Sequence, residues 1–217
     1  MDIGEIDDTK KKIIEAAEEI FAQKGFKFTT VREICNSAGT HVGSINYHFR
    51  DKEGLYEAVL QYSHRSVLEK YPPDLGVDKT STSEEKLKAF INSFLLRILD
   101  EGVPTWHGKL MAQEFANPTN AVHKLIEKTI KPLHFYLESI VREIMGLEKN
   151  CKNDTAVFLC TISIVGQCIQ YFKGKEVIDA ICPRSFSSKD IKMLTEQITL
   201  FSLGGIEKIN NELINYN

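Results

Sequence analysis

The sequence lacks the cysteine pattern of a disulfide-braced secreted fold. Its five cysteines are odd in number and widely spaced, with no Cys-x-x-Cys pair. Cys35, Cys160 and Cys168 fall in apolar helical patterns, where a free thiol is a small core residue. A reducing, cytoplasmic location is expected. There is no glycine-rich phosphate loop and no nucleophile elbow; Gly204-Gly205 is not followed by Lys-Ser/Thr. No catalytic residue and no cofactor is therefore assigned, and the chain is not read as an enzyme. Strand alternation, internal repeats and low-complexity segments are absent as well. Met1 to Thr9 is acidic and holds no apolar run, so no signal peptide is expected; residues up to Asp8 read as a solvated tail. Nor is there an overall basic excess. The formal net charge of −3 does not suit a protein that coats DNA.

What remains is a soluble globular composition, 42% hydrophobic and 26% charged over 217 residues, enough for a sizeable core. Charge is distributed unevenly. Between residues 10 and 52, eight Lys/Arg stand against five Asp/Glu, a local +3 suited to a focused phosphate contact.

That segment carries the most informative pattern. Ile13, Ala17, Ile20 and Phe21 form the stripe of a first helix that Gly25 stops. Thr30 and Glu33 have the spacing of a capping box and open a second helix with Val31, Ile34 and Ala38 on one face. Gly39 can take the left-handed conformation that ends it. A third helix, about Val42 to Phe49, turns Ile45 and Phe49 inward and leaves His41, Ser44, Tyr47 and His48 outside. So short a helix contributes little core and suits a major groove. Taken singly, Tyr47, His48 and Lys52 could be core or solvated surface. Together with two capping signals and a glycine turn, they favour DNA contact.

These residues resemble the DNA-binding domain of the TetR family of bacterial transcriptional regulators, over roughly residues 8 to 68. The matching marks are Thr30-Val-Arg-Glu-Ile34, Ala38-Gly39, Gly43, Tyr47-His48-Phe49, Lys52-Glu53 and Leu55. Ile45-Asn46-Tyr47-His48-Phe49, Glu114-Phe115-Ala116-Asn117-Pro118-Thr119 and Ile164-Val165-Gly166-Gln167-Cys168 resemble its CecR-like branch. The chain departs from the usual wording at His41, where Ser or Asn is commoner, at Val42, often basic, and at Asn46, often Tyr. The resemblance implies a helix-turn-helix over about 30–49 and a C-terminal effector-binding and dimerisation domain over 82–217. It also implies Lys52 near the DNA backbone.

Periodicity downstream predicts helices alone: about Lys52 to Tyr71, one opened by a Thr82/Glu85 capping box and closed by Gly102, and one beginning near Pro104. A long helix of about Ala121 to Met145 should bend near Pro132, and helices follow at 154–173 and about 188–203. From Thr155 to Phe172 there are 18 residues without a charge. That length reaches a membrane span, but Thr155, Thr161, Ser163, Gln167 and Gln170 are costly in lipid and no basic flank sets an orientation, so no membrane is expected. A helix apolar on most faces is buried on most faces. With the stripe of Ile191, Leu194, Ile198 and Phe201, it predicts a four-helix dimer interface that includes Ile164 and Cys168. Periodicity alone leaves burial inside one monomer open.

Two further clusters need weighing. Trp106, the only tryptophan, sits with His107, Met111 and Phe115 on a segment suited to an organic ligand; ordinary core packing is the alternative. TetR-like regulators keep an effector pocket in their C-terminal helices, which favours the ligand. His123, Glu127, His134 and Glu138 lie near one stripe, yet Glu127 with Lys131 and Glu138 with Arg142 have ion-pair spacing, so no metal site is assigned.

The expectation is an all-α, two-domain homodimer, a repressor released from a palindromic operator by a small organic effector. Val42 to Phe49 is the recognition helix. His41, Val42, Gly43 and Ser44 meet base edges. Thr29, Thr30 and Arg32 touch the backbone or flanking bases. Asn46, Tyr47, His48 and Lys52 complete the DNA surface, the last three on phosphates. The two heads of a dimer would stand about one helical turn, ~34 Å, apart. Rival readings are a helical carrier or enzyme with a vestigial helix-turn-helix, and a DNA-binding activator or architectural protein without an effector.

Overall fold

The computed structural model describes residues 8–100, 105–147, 154–182 and 186–215, and every regular element among them is helical. The expected N-terminal tail through Asp7 and the helix boundaries at Gly102 and Pro104 lie outside the described residues. Two compact units form. One holds the chain to Val67 with residues up to Thr129 of the segment that follows Pro104; the other holds the remainder.

In the first unit, α1 (Asp8–Phe28) buries Ile13, Ala17 and Phe21 and is broken at Gly25, where φ is 76°. A positive φ is unstrained only for glycine, so the sequence can turn here. α2 (Val31–Ala38) and α3 (Val42–Phe49) follow, then α4 (Lys52–Lys70). Asp51 accepts a bond from the Gly54 N–H (2.7 Å), which caps α4. A Cβ on Gly54 would stand 2.1 Å from the Phe49 carbonyl oxygen, so the close return of α4 onto α3 requires that glycine. α6 (Thr105–Ala116) packs on α1, and α7 (Asn120–Leu125) comes after it.

The second unit is built on α5 (Ser83–Leu99), α8 (Lys131–Met145), α9 (Asp154–Lys173) and α11 (Ile191–Asn215), with the short α10 (Lys175–Ile181) between the last two. α5 opens on the Thr82/Glu85 capping box. Its core joins Leu87, Ile91 and Leu95 to Leu137 and Val141, Val157 and Ile164, Leu194 and Ile198. Each such side chain, fully buried, stabilises by about 1.5–3 kcal/mol. The expected continuous helix of 121–145 is interrupted. Ile126–Ile130 forms a π turn, and Pro132 lies in the first turn of α8. Proline has no N–H to continue the preceding α pattern, so the irregularity falls before it rather than at it.

α9 puts Val157, Cys160, Thr161, Ile164 and Cys168 inward, positions at helical spacing on one side. Thr161 and Ser163 donate to carbonyls of their own helix, so their hydroxyls are satisfied without water. By length and composition α9 is apolar enough to cross a membrane. The buried stripe, not the hydroxyls, is what marks one side as core.

Candidate nucleic-acid interface

The α2–α3 unit is fixed by short-range chemistry. Thr30 Oγ1 accepts from the Glu33 N–H (3.3 Å), and Glu33 Oε2 accepts from the Thr30 N–H (2.9 Å). Lys24 adds a 2.5 Å bond to Glu33 Oε1. This pair, with the bonds that the Thr30 N–H and hydroxyl both donate to Glu33 Oε2, holds the Glu33 carboxyl down at about 2. Gly39, at φ 64° and ψ 35°, ends α2 in the left-handed form and sends its N–H to the Cys35 carbonyl. Ile34 and Cys35 of α2 and Ile45 and Phe49 of α3 are the buried residues that dock the pair.

The opposite side of α3 is left to solvent. Val42 is 47% exposed and Tyr47 85%. His41, Gly43 and Asn46 are exposed, and Ser44 and His48 are half-buried. An added Cβ at Gly43 would meet nothing within 4 Å, so nothing inside this chain requires glycine there. The N-terminal turn is pre-organised by side chains. Thr40 Oγ1 donates to Ser44 Oγ (2.9 Å), and Ser44 Oγ lies 2.6 Å from His41 Nδ1. The imidazole is thereby aimed, with Nε2 left for a partner outside the triad. Arg50 closes α3 at φ 74° and pairs with Asp51.

Several expected contact residues are placed differently. Thr29, expected at the DNA surface, is buried, and its hydroxyl donates to the Gly25 carbonyl (2.8 Å), bracing the end of α1. Lys52 is not a loose cation. Its ammonium donates to the carbonyls of Phe26 (2.9 Å) and Thr29 (3.0 Å) and lies 4.4 Å from the centre of the Phe26 ring. One N–H of three is left for a phosphate. Thr30 is exposed but engaged in the cap; Arg32 is exposed.

The aromatic segment on α6 is also used within the first unit. His107 is buried, with Nδ1 3.1 Å from Ser63 Oγ, and Met111 is buried. Trp106 is half-buried beneath the Lys109 ammonium, and the Phe115 side chain lies outside the described residues. A groove of about 600 Å³ in this unit is lined by Phe26, Asp51, Tyr56, Thr119 and Lys124 instead.

Sequence reasoning missed what Glu114 does. A buried residue of α6, it accepts from the Tyr56 hydroxyl (2.8 Å) with one oxygen and from the Thr119 N–H (2.7 Å) and hydroxyl (2.8 Å) with the other. Burial, then the Glu114 contact, pushes the Tyr56 phenol well above its usual range and keeps it a donor. Beside it, Gln113 donates to the Ala22 carbonyl (3.0 Å). These bonds tie α6 to α1 and α4. The visible signal was the spacing of Glu114 and Thr119 around Pro118.

In the second unit, Ile164, Cys168, Ile191, Leu194 and Ile198, expected at a contact between copies, are buried in the chain's own core. Phe201 differs: it is 67% exposed. Among the apolar residues that α9 and α11 leave to solvent are Phe158, Leu159 and Ile162 on the first and Met193, Leu200, Phe201 and Ile209 on the second.

A capped two-helix unit presenting an exposed, glycine-bearing second helix, joined to a separate helical unit, is the architecture of a helix-turn-helix transcriptional regulator. Residues 13–59 match the profile of bacterial regulatory proteins of the tetR family, and residues 83–206 that of the C-terminal domain of the HTH-type transcriptional dual regulator CecR. The CecR regulator of Shigella flexneri is 31% identical over 179 residues, 78% of each chain. The HTH-type transcriptional repressor KstR2 of Mycobacterium tuberculosis is 33% identical over 92 residues, 42% of this chain and 45% of that one. The transcriptional regulator FadR from Bacillus subtilis, solved in complex with stearoyl-CoA, has a TM-score of 0.66 at 19% identity, over 90% of this chain and 98% of that one, a likeness of fold. The chain belongs to the TetR family of bacterial transcriptional regulators.

Proposed function

We propose that the chain acts in the cytoplasm as a homodimeric repressor that leaves a palindromic operator when a small organic effector binds, and that it has no enzymatic role. Residues 8–68 serve as the DNA-binding domain and 82–217 as the effector and dimerisation region. The observation that carries the DNA reading is Gly43: a helical glycine, exposed, with no internal reason to lack a side chain. Absence of Cβ there lets α3 approach base edges. His41, Val42 and Ser44 surround it, with Asn46, Tyr47 and His48 one turn on, and Thr30, Arg32 and the third Lys52 N–H on the phosphates.

For assembly, Phe158, Leu159 and Ile162 of α9 with Leu200 and Phe201 of α11 replace the interior residues first expected. Two such faces make a four-helix contact. For response, an effector beside Trp106 acts through α6. That helix carries Gln113 and Glu114 to Ala22 and Tyr56, so a displaced α6 moves the helices that hold the reading head. The effector acts only by its difference in affinity for the two arrangements.

Fluorescence anisotropy with the gene's own upstream DNA tests the reading. Sequence-selective binding by a dimer is expected, with affinity falling steeply as salt rises. Weak binding indifferent to sequence would leave a carrier with a vestigial helix-turn-helix. Trp106 emission, recorded while candidate compounds are added, reports the effector; release of DNA with unchanged emission would move the pocket elsewhere.

A further inference from the structure

The interior of the second unit holds a charge that the fold does not neutralise. Arg97 of α5 is 5% exposed. Its Nη1 donates to the Tyr71 carbonyl (2.9 Å) and to Ser93 Oγ (2.6 Å). Its Nη2 is buried and meets no acceptor. The Phe94 ring centre lies 5.4 Å from the guanidinium. Asp100, three residues on, is engaged by Lys70 and by the Tyr71 hydroxyl. The group that faces Arg97 from α9 is the Cys168 thiol, which burial pushes up to about 12, so it stays neutral and supplies no counter-charge. Burial pulls the guanidinium down to about 10, which still leaves it charged at neutral pH.

A buried cation without an anion is costly, and the cost is recovered only by a partner that brings negative charge with good geometry. Pinning the Tyr71 carbonyl needs one N–H; it does not need a fork with a second nitrogen aimed at nothing. A planar guanidinium with a free nitrogen is a ready donor for a carboxylate. Three features of the surroundings narrow the ligand. Among the described residues of this unit no second cation is buried, so a dianion would remain half neutralised. Phe94 and Cys168 flank the group, and Ile164 lies one turn before Cys168 on α9, so what carries the anion must be apolar. Ser93 already holds Nη1, so the fork is pre-oriented.

We propose that Arg97 is the anion-reading residue of the effector site, and that the effector is an amphiphilic monoanion, a carboxylate on an apolar body. This rests on the effector reading above, though not on the assignment of Trp106.

The test uses the full-length protein and matched probes: straight-chain fatty acids from hexanoate to dodecanoate, each against its primary amide. Thermal melting and titration calorimetry read binding, and anisotropy on the upstream DNA reads release. At least one carboxylate should raise the melting temperature and bind about tenfold or more tighter than its amide, the ratio expected of one charge-assisted hydrogen bond. Arg97→Met should erase that ratio, and Arg97→Lys, which keeps the charge but loses the fork, should restore it in part. If Arg97→Met does not fold, the ratio in the wild type and in Arg97→Lys decides. No carboxylate-dependent shift, equal affinity for acid and amide, or a preference that survives Arg97→Met would overturn the proposal. A neutral compound that releases DNA while carboxylates do nothing would overturn it and leave the effector reading intact. A carboxylate held through Arg97 that never affects DNA would do the reverse.

Discussion

Val42 and Tyr47 on α3, and Leu200 and Phe201 on α11, are all large apolar side chains left to solvent, yet their settings differ. On α3 they alternate with His41, Gly43, Ser44 and Asn46, groups that can donate, accept or make room. On α11 they are consecutive, and Phe158, Leu159 and Ile162 are the exposed apolar residues of α9. A surface that reads bases must keep hydrogen-bonding atoms available at its centre, and α3 does so. A surface that joins two copies needs apolar area at its centre, which the exposed residues of α9 and α11 would supply in the proposed dimer. An exposed apolar residue is informative only with its neighbours.

The sharpest way to break that contrast is a pair of charge insertions. Ile164→Asp puts a carboxylate inside the monomer's own core and should lower stability by about 4 kcal/mol or more. Phe201→Asp should leave the circular dichroism spectrum and melting temperature near those of the wild type and yield monomers by light scattering. DNA affinity should then fall although α3 is untouched. Equal unfolding by both variants, or a wild type already monomeric at micromolar concentration, would erase the distinction between interior and interface.

Next in size is the tether of α6. Glu114→Ala leaves the buried Tyr56 hydroxyl, and the half-buried Thr119 N–H, without this partner, which costs roughly 2 kcal/mol. Hydrogen exchange should rise in α4 and α6 and spare α11. Protection unchanged in α4 would mean the network is incidental to the unit that carries the reading head.

These two cases show where sequence reasoning reached and where it stopped. The caps at Thr30 and Thr82, the break at Gly25 and the left-handed Gly39 were legible because each depends on a few neighbouring residues. The α9 and α11 helices were legible too, since apolar spacing sets helical phase. Which side of α9 faces its own chain was not, because Ile164 and Ile162 are equally apolar and only packing partners distinguish them. The anchoring of Lys52 was hidden for a related reason. A lysine after a recognition helix is read as free until the carbonyls of Phe26 and Thr29, more than twenty positions earlier, come within reach. Arg97 gave no sign at all. It sits in a helix rich in apolar residues, where an arginine is ordinarily the solvated edge.

Gly43 sharpens the α3 half of the comparison. Gly43→Ala should stabilise the isolated protein by roughly 0.5–1 kcal/mol, since alanine is the better helix residue and an open space receives its Cβ. It should also weaken operator binding, by roughly 1–3 kcal/mol if the backbone approaches a base edge there. Opposite signs in the two measurements mark a residue kept for its partner. Stabilisation with undiminished DNA binding would place the closest approach at another position of α3.

The smallest effect concerns the capping box that sets α2 beneath α3. Glu33 has its folded-state value lowered to about 2, first by the Lys24 side chain and then by the N–H and hydroxyl of Thr30. In the unfolded chain a glutamate titrates near ~4.3. A depressed folded value means that the contribution is present above the unfolded value and is lost as pH falls towards the folded one. Glu33→Gln keeps an acceptor for the Thr30 N–H but has no charge to lose. The wild type should therefore melt above this variant at pH 6, and the gap should close between about pH 4.3 and pH 2. Because Glu33 is solvent-facing, salt should narrow the gap at pH 6 as well. Parallel melting curves across that range would mean the cap works through hydrogen bonding alone, with the Lys24 pair adding nothing. A gap that closes with acid but ignores salt would assign the effect to the Thr30 bonds, the part of the box that holds α2 in place whether or not DNA is near.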